Sequence, residues 1–149
     1  MDRRQFILAG ASSVALAAAG NVLAQGGDAA KTTPGSFSSP RIRELFEAAA
    51  ACVRSGEVCQ QHCLEYLSQG DTSMARCANT LATMLPMCRA LEALALQGSA
   101  HLAEFVRTCA KVCRDCEAAC KVHAGHHKAC KDCMEDCQRC AGACEKFTA

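Results

Sequence analysis

"CAKVCRDCEAAC" runs from residue 109 to 120 and "CKDCMEDCQRCAGAC" from 130 to 144, so nine cysteines fall within thirty-six residues. In each stretch they recur three or four residues apart, the spacing at which side chains stack on one face of an α-helix. At 100° per residue, Cys109, Cys113, Cys116 and Cys120 lie within an arc of about 60°, and Cys130, Cys133, Cys137, Cys140 and Cys144 within about 80°. Both stretches therefore read as helices with a sulfur stripe.

The same pattern extends upstream. Cys52, Cys59 and Cys63 fall within about 40°, and Cys77 and Cys88 are about 20° apart with Met84 between them. Helix punctuation separates the four stripes. Ser39 is placed to cap a helix with Pro40 at its first position. "GDTS" (70–73), "QGS" (97–99) and Gly125 with His126 interrupt the Ala- and Leu-rich pattern three times. The predicted helices span residues 40–69, 72–97, 99–124 and 126–147, and no strand signal is present. Such short turns favour an all-α fold, an antiparallel up-down-up-down four-helix bundle with a cysteine-lined core. Gly56 and Pro86 predict bends in the first and second helices.

Counting residues from the first and third turns, which share one end of such a bundle, puts all four stripes in one slab roughly 7 to 29 Å from that end. Leu45, Leu91, Leu94, Leu102, Phe105 and Phe147 gather at the other end as an apolar plug. The expected object is a blind tube lined with sulfur.

Composition bounds what the tube is for. The chain has 149 residues, enough for one domain, and 14 cysteines, far above ordinary usage. Sixteen Lys and Arg stand against fifteen Asp and Glu, with no Trp and one Tyr, so a basic face and stacking aromatics for nucleic acid are both missing.

The N-terminal "MDRRQFILAGASSVALAAAGNVLAQ" pairs Arg3 with Arg4, follows them with an apolar run from Phe6 to Ala19, and offers Val22 and Ala24 as small residues before Gln25. It reads as a twin-arginine export leader over residues 1–24, too short and interrupted to span a membrane, and it predicts a periplasmic protein. Removing it leaves 14 residues of each charge. Residues 25–39, rich in Gly, Ser, Thr and Pro, read as a flexible linker to a bundle over 40–149.

Several chemistries compete for fourteen thiols in register. Buried cysteine as a small hydrophobe suits one or two residues rather than fourteen. Neighbours at i, i+3 or i, i+4 have Cβ atoms about 5–6 Å apart, where a disulfide wants roughly 3.5–4.5 Å, although bridges between helices remain open. Iron–sulfur ligation uses loop spacings, often with a following proline, that do not occur here. A zinc-like pattern, Cys113, Cys116, Cys137 and Cys140, is expected by accident among so many cysteines. Each buried thiolate brings one negative charge, which a monovalent soft cation cancels one for one, so Cu(I) is favoured over Zn²⁺.

With that ladder in view, the sequence resembles the copper storage proteins over residues 40–147. The resemblance implies a four-helix bundle that holds many Cu(I) ions on Cys52, Cys59, Cys63, Cys77, Cys88, Cys109, Cys113, Cys116, Cys120, Cys130, Cys133, Cys137, Cys140 and Cys144. It also implies a homotetramer. The leader is similar to that of the exported branch, which implies copper supply to methane monooxygenase. The second helix carries less sulfur than the family's pattern. At the open end the resemblance implies His62 and Met74 as additional copper ligands, close to His123, His126 and His127. His101, Met1, Met87 and Met134 read as surface or filler. No nucleophile stands beside a single base, so no catalytic site is expected. A disulfide- or zinc-stabilised structural bundle and a thiol redox protein are the alternatives.

Overall fold

The computed structural model describes Phe37 and residues 39–149, all within Thr33–Ala149, one of the two compact units into which the chain divides. The predicted leader, and the predicted linker apart from Phe37 and Ser39, lie outside the described residues. Phe37 itself packs edge-on against Phe46, with ring centroids 5.3 Å apart, so order reaches back into the predicted linker.

Four helices account for nearly all of the described chain: α1 (Pro40–Ser68), α2 (Ala75–Gln97), α3 (Leu102–Lys121) and α4 (Lys128–Thr148), with a 3-10 turn at Thr72–Met74. Each helix packs on its neighbour in sequence, and α4 closes against α1. Together with the short turns, this makes the up-down-up-down bundle. Ion pairs mark the register: Glu57 with Arg89 joins α1 to α2, Arg114 with Glu145 joins α3 to α4, and Glu44 with Lys146 joins α1 to α4. All three are solvent-exposed and contribute little to stability. No described helix is long and apolar enough to cross a membrane.

Pro40 occupies the first turn of α1, but the Ser39 side chain makes no capping hydrogen bond. Asp71 does cap, accepting from the Ser73 backbone N–H at 2.9 Å. The first two stops use glycine in the left-handed region, Gly70 at φ 87° and Gly98 at φ 59°, where other residues meet a Cβ penalty. The third does not. α3 ends at Lys121, three residues before the predicted boundary, and residues 122–127 form turns in which the His126 and His127 N–H groups donate to the His123 carbonyl.

Gly56 and Pro86 lie inside helices that run unbroken through them. Gly56 serves as a contact point. A Cβ there would come within 2.7 Å of Met84 Cε and 2.9 Å of Leu85 Cδ2, so its absence lets α2 side chains press onto the α1 backbone. At the closed end Leu45, Leu91 and Leu102 are buried and joined by Val106, with Leu94, Phe105 and Phe147 packed around them.

Candidate metal centre

The interior that this bundle encloses is apolar and sulfur-bearing, with no buried polar or charged side chain among the described residues. The 3.6-residue period aims every cysteine at the axis, and all fourteen are at most 1% exposed. All fourteen are free thiols.

The helices bring the sulfurs together in five groups whose members lie within 4.8 Å of one another. Cys52, Cys88, Cys113 and Cys140 form a quartet with one member from each helix. Cys59, Cys63, Cys77 and Cys130 form a second quartet nearer the first and third turns. Three triads complete the set: Cys59, Cys120 and Cys133; Cys116, Cys133 and Cys137; Cys109, Cys140 and Cys144. No cysteine is left over. Close Sγ pairs include Cys77 with Cys120 at 3.3 Å and Cys59 with Cys120 at 4.0 Å. A tetrahedral zinc site, with Zn–S near 2.3 Å, also needs sulfurs about 3.8 Å apart, so distance alone does not choose the metal.

Charge does choose. Four thiolates on Zn²⁺ leave two negative charges, and no buried cation among the described residues offsets them. One Cu(I) per thiolate leaves none, and Cu(I) accepts soft thiolate ligands.

Without metal the thiols share protons. Nine are raised above the ordinary 9.0: Cys52, Cys63, Cys88, Cys109, Cys113, Cys120, Cys130, Cys133 and Cys144. For Cys52 the causes are hydrogen bonds to neighbouring thiols, led by Cys113, and then burial. Cys63 reaches about 11, where the lowering contact with Cys59 is outweighed by Cys77 and burial. Cys144 reaches about 12, with Cys109 lowering it and Cys140 and burial raising it. Three thiols go the other way because neighbours donate to them: Cys59, to about 4 through Cys120 and Cys133, Cys116 through Cys120, and Cys140 through Cys109.

A stability profile follows from these shifts. Above pH 9 the unfolded chain releases protons that the nine raised thiols retain in the fold, so their contribution, complete below 9.0, is lost as pH rises through about 11 and 12. Cys59 has the opposite sign, its contribution fading as pH falls from 9.0 towards about 4, but nine outnumber three. The metal-free protein is expected to melt lower at pH about 10.5 than at about 8, while the copper-loaded protein, its thiolates already deprotonated, changes much less. Equal melting temperatures for the metal-free form at the two values would contradict the protonated core.

The end marked by the first and third turns holds the non-thiol donors. His62 Nε2 and His127 Nδ1 are 3.0 Å apart, and the Tyr66 ring lies 4.7 Å from His62 and 5.0 Å from His127 between centroids. Burial and then the nearby His62 hold His127 below its ordinary value. Met74 is 1% exposed, inside the core at the start of α2, whereas His62 is half-buried. His62 belongs to none of the five groups. His123 lies 6.1 Å from His127 by ring centroid, His126 is exposed, and His101 sits exposed at the start of α3. Met87 and Met134 pack against the core from outside. The pairing of His62 with His127 has no signature in the spacing, since it joins residues on different elements.

Residues 38–149 match the family model described as copper storage protein. The chain belongs to the copper storage protein family. Its fold is similar to a cytosolic copper storage protein from Streptomyces lividans in a structure of copper loading with five coppers. The identity is 25% and the TM-score 0.66, over 72% of this chain and 92% of that one. It is likewise similar to the copper storage protein Ccsp from the same organism, loaded with 10 copper equivalents, at 25% identity and TM-score 0.69 over 78% and 92%. No curated protein matches the chain.

This family stores copper rather than catalysing a reaction, and the sulfur groups suit several copper ions. One expectation is corrected. Export to the periplasm does not stand, because the copper storage protein that the bundle resembles is cytosolic. The export expectation rests on residues 1–24 alone, which lie outside the described residues, and nothing in a thiol-lined bundle marks a compartment.

Proposed function

We propose that the bundle over residues 40–149 stores Cu(I) on the thiolates of its fourteen cysteines and surrenders it later to copper enzymes. The observation that carries this reading is that every cysteine is buried and belongs to a close sulfur group, with no buried cation among the described residues to offset thiolate charge. Supply to methane monooxygenase drew its support from the exported branch alone, so the proposal is the coarser one. Assembly as a homotetramer is proposed from family membership, with sedimentation as its check.

Reversible exchange is the test of storage. Loaded protein given excess Cu(I) chelator should release copper while its far-UV circular dichroism stays helical. Copper that cannot be withdrawn, or that leaves only when the bundle unfolds, contradicts the reading.

His62 and Met74 are proposed to act at the mouth. A neutral imidazole or thioether binds Cu(I) without adding charge and more loosely than thiolate, which suits transfer. His62→Ala with Met74→Ala is expected to slow uptake or removal while lowering capacity by only about one or two ions. Unchanged kinetics with a large loss of capacity would place the entrance elsewhere.

A further inference from the structure

The sulfur lining is not continuous on all sides. Near the first and third turns, Cys59, Cys63, Cys77, Cys120 and Cys130 form an outer set; deeper, Cys52, Cys88, Cys109, Cys113, Cys140 and Cys144 form an inner one. Between the two levels, the half of the tube facing α1 and α2 has no thiol. Gly56 has no side chain, and the space beside it is filled from α2 by Met84 Cε, Leu85 Cδ2 and Leu81 Cδ2, at 2.7, 2.9 and 3.6 Å from the position of a Cβ. Leu81 and Met84 are fully buried and Leu85 is 3% exposed, so this is a packed apolar block. It explains why α2 has only two cysteines: two helical turns of its core face carry Leu81 and Met84 instead.

On the α3 and α4 side the lining continues. Cys133 belongs both to the group with Cys59 and Cys120 and to the triad with Cys116 and Cys137. Cys137 lies 3.9 Å from Cys133 and 3.5 Å from Cys52, a member of the inner quartet. The Cys137–Cys52 contact thus joins the α3 and α4 lining to the inner set.

We infer that the store has two compartments and that copper passes from outer to inner over a one-sided relay whose last step is Cys137 to Cys52. A Cu(I) ion moves by binding the next sulfur within reach as it leaves the last, the incoming thiol's proton passing to the thiolate left behind, so the ion keeps its charge partner throughout and never crosses the apolar block bare. The inference rests on the storage reading above and on entry at the outer end.

The test is rapid-mixing loading with excess Cu(I) chelate, followed by thiolate-to-copper absorbance in the ultraviolet, for wild type, Cys137→Ser and Met84→Cys. Cys137→Ser should fill its outer compartment at the wild-type rate but its inner one at least about tenfold more slowly, about 1.4 kcal/mol of barrier, with final capacity reduced by only about one ion. Met84→Cys puts a thiol on the blocked side, and it should speed inner filling and restore the rate when combined with Cys137→Ser. Met84→Cys in the wild-type background also tests the relay should Cys137→Ser fold poorly. Inner filling unaffected by either change would overturn the relay while leaving storage intact. A wild-type protein that binds no copper would instead overturn the storage reading.

Discussion

Loading the bundle with Cu(I) is expected to raise its melting temperature by more than about 20 °C. A ligand that binds only the folded state stabilises it by about 4 kcal/mol per site when present at a thousandfold its dissociation constant. Each kcal/mol moves the midpoint of a domain of about 100 residues by roughly 4–8 °C. One saturated site already gives much of the shift, and five sulfur groups offer more. The metal-free protein should nevertheless be strongly helical, because the closed end is packed with Leu45, Leu91, Leu102 and Val106, and the protonated thiols pack as small hydrophobes. Circular dichroism melts of both forms provide the check. A metal-free chain that is unfolded, and gains helix only as copper is added, would contradict a preformed tube.

The closed end carries the second large effect. Leu91 is fully buried there, so Leu91→Ala is expected to remove about 2–5 kcal/mol from the metal-free protein through lost burial and a residual cavity. Against a typical domain stability of about 5–15 kcal/mol this is a large fraction, readable as a lower urea midpoint at unchanged slope. Copper capacity should not change, because Leu91 supplies no ligand. A proportional loss of copper would mean that plug and lining are one structural unit.

The helices and the inward aim of the cysteines were legible because both follow from one period: residues three and four apart share a face, and a face repeated over several turns must be buried. The apolar plug was legible for the same reason. What the sequence could not show depends on distances between helices. Gly56 reads in isolation as a place for a bend, yet in the fold its missing side chain is the surface on which Leu81, Met84 and Leu85 pack. The sequence showed that α2 was poor in sulfur and put Met84 on its stripe; only the fold showed that Leu81, Met84 and Leu85 pack against Gly56 of α1.

The third turn was mispredicted in length because Gly125 is not used in the left-handed conformation, and backbone hydrogen bonds to His123 close the turn instead. His127 reaches His62 because of how that turn folds, and no spacing rule joins residues 62 and 127. The location of the protein was read from the leader alone, and the comparison with a cytosolic relative removes that reading.

The most direct measurement is a Cu(I) titration of the metal-free bundle against a colorimetric chelator, with thiols counted in denaturant on the same sample without prior reduction. Charge balance, with no buried cation among the described residues, predicts that all 14 thiols react and that Cu(I) saturates nearer one ion per cysteine than one per four. Saturation near one ion per four cysteines, or several thiols missing from the count, would contradict a tube that stores copper by matching one cation to each thiolate.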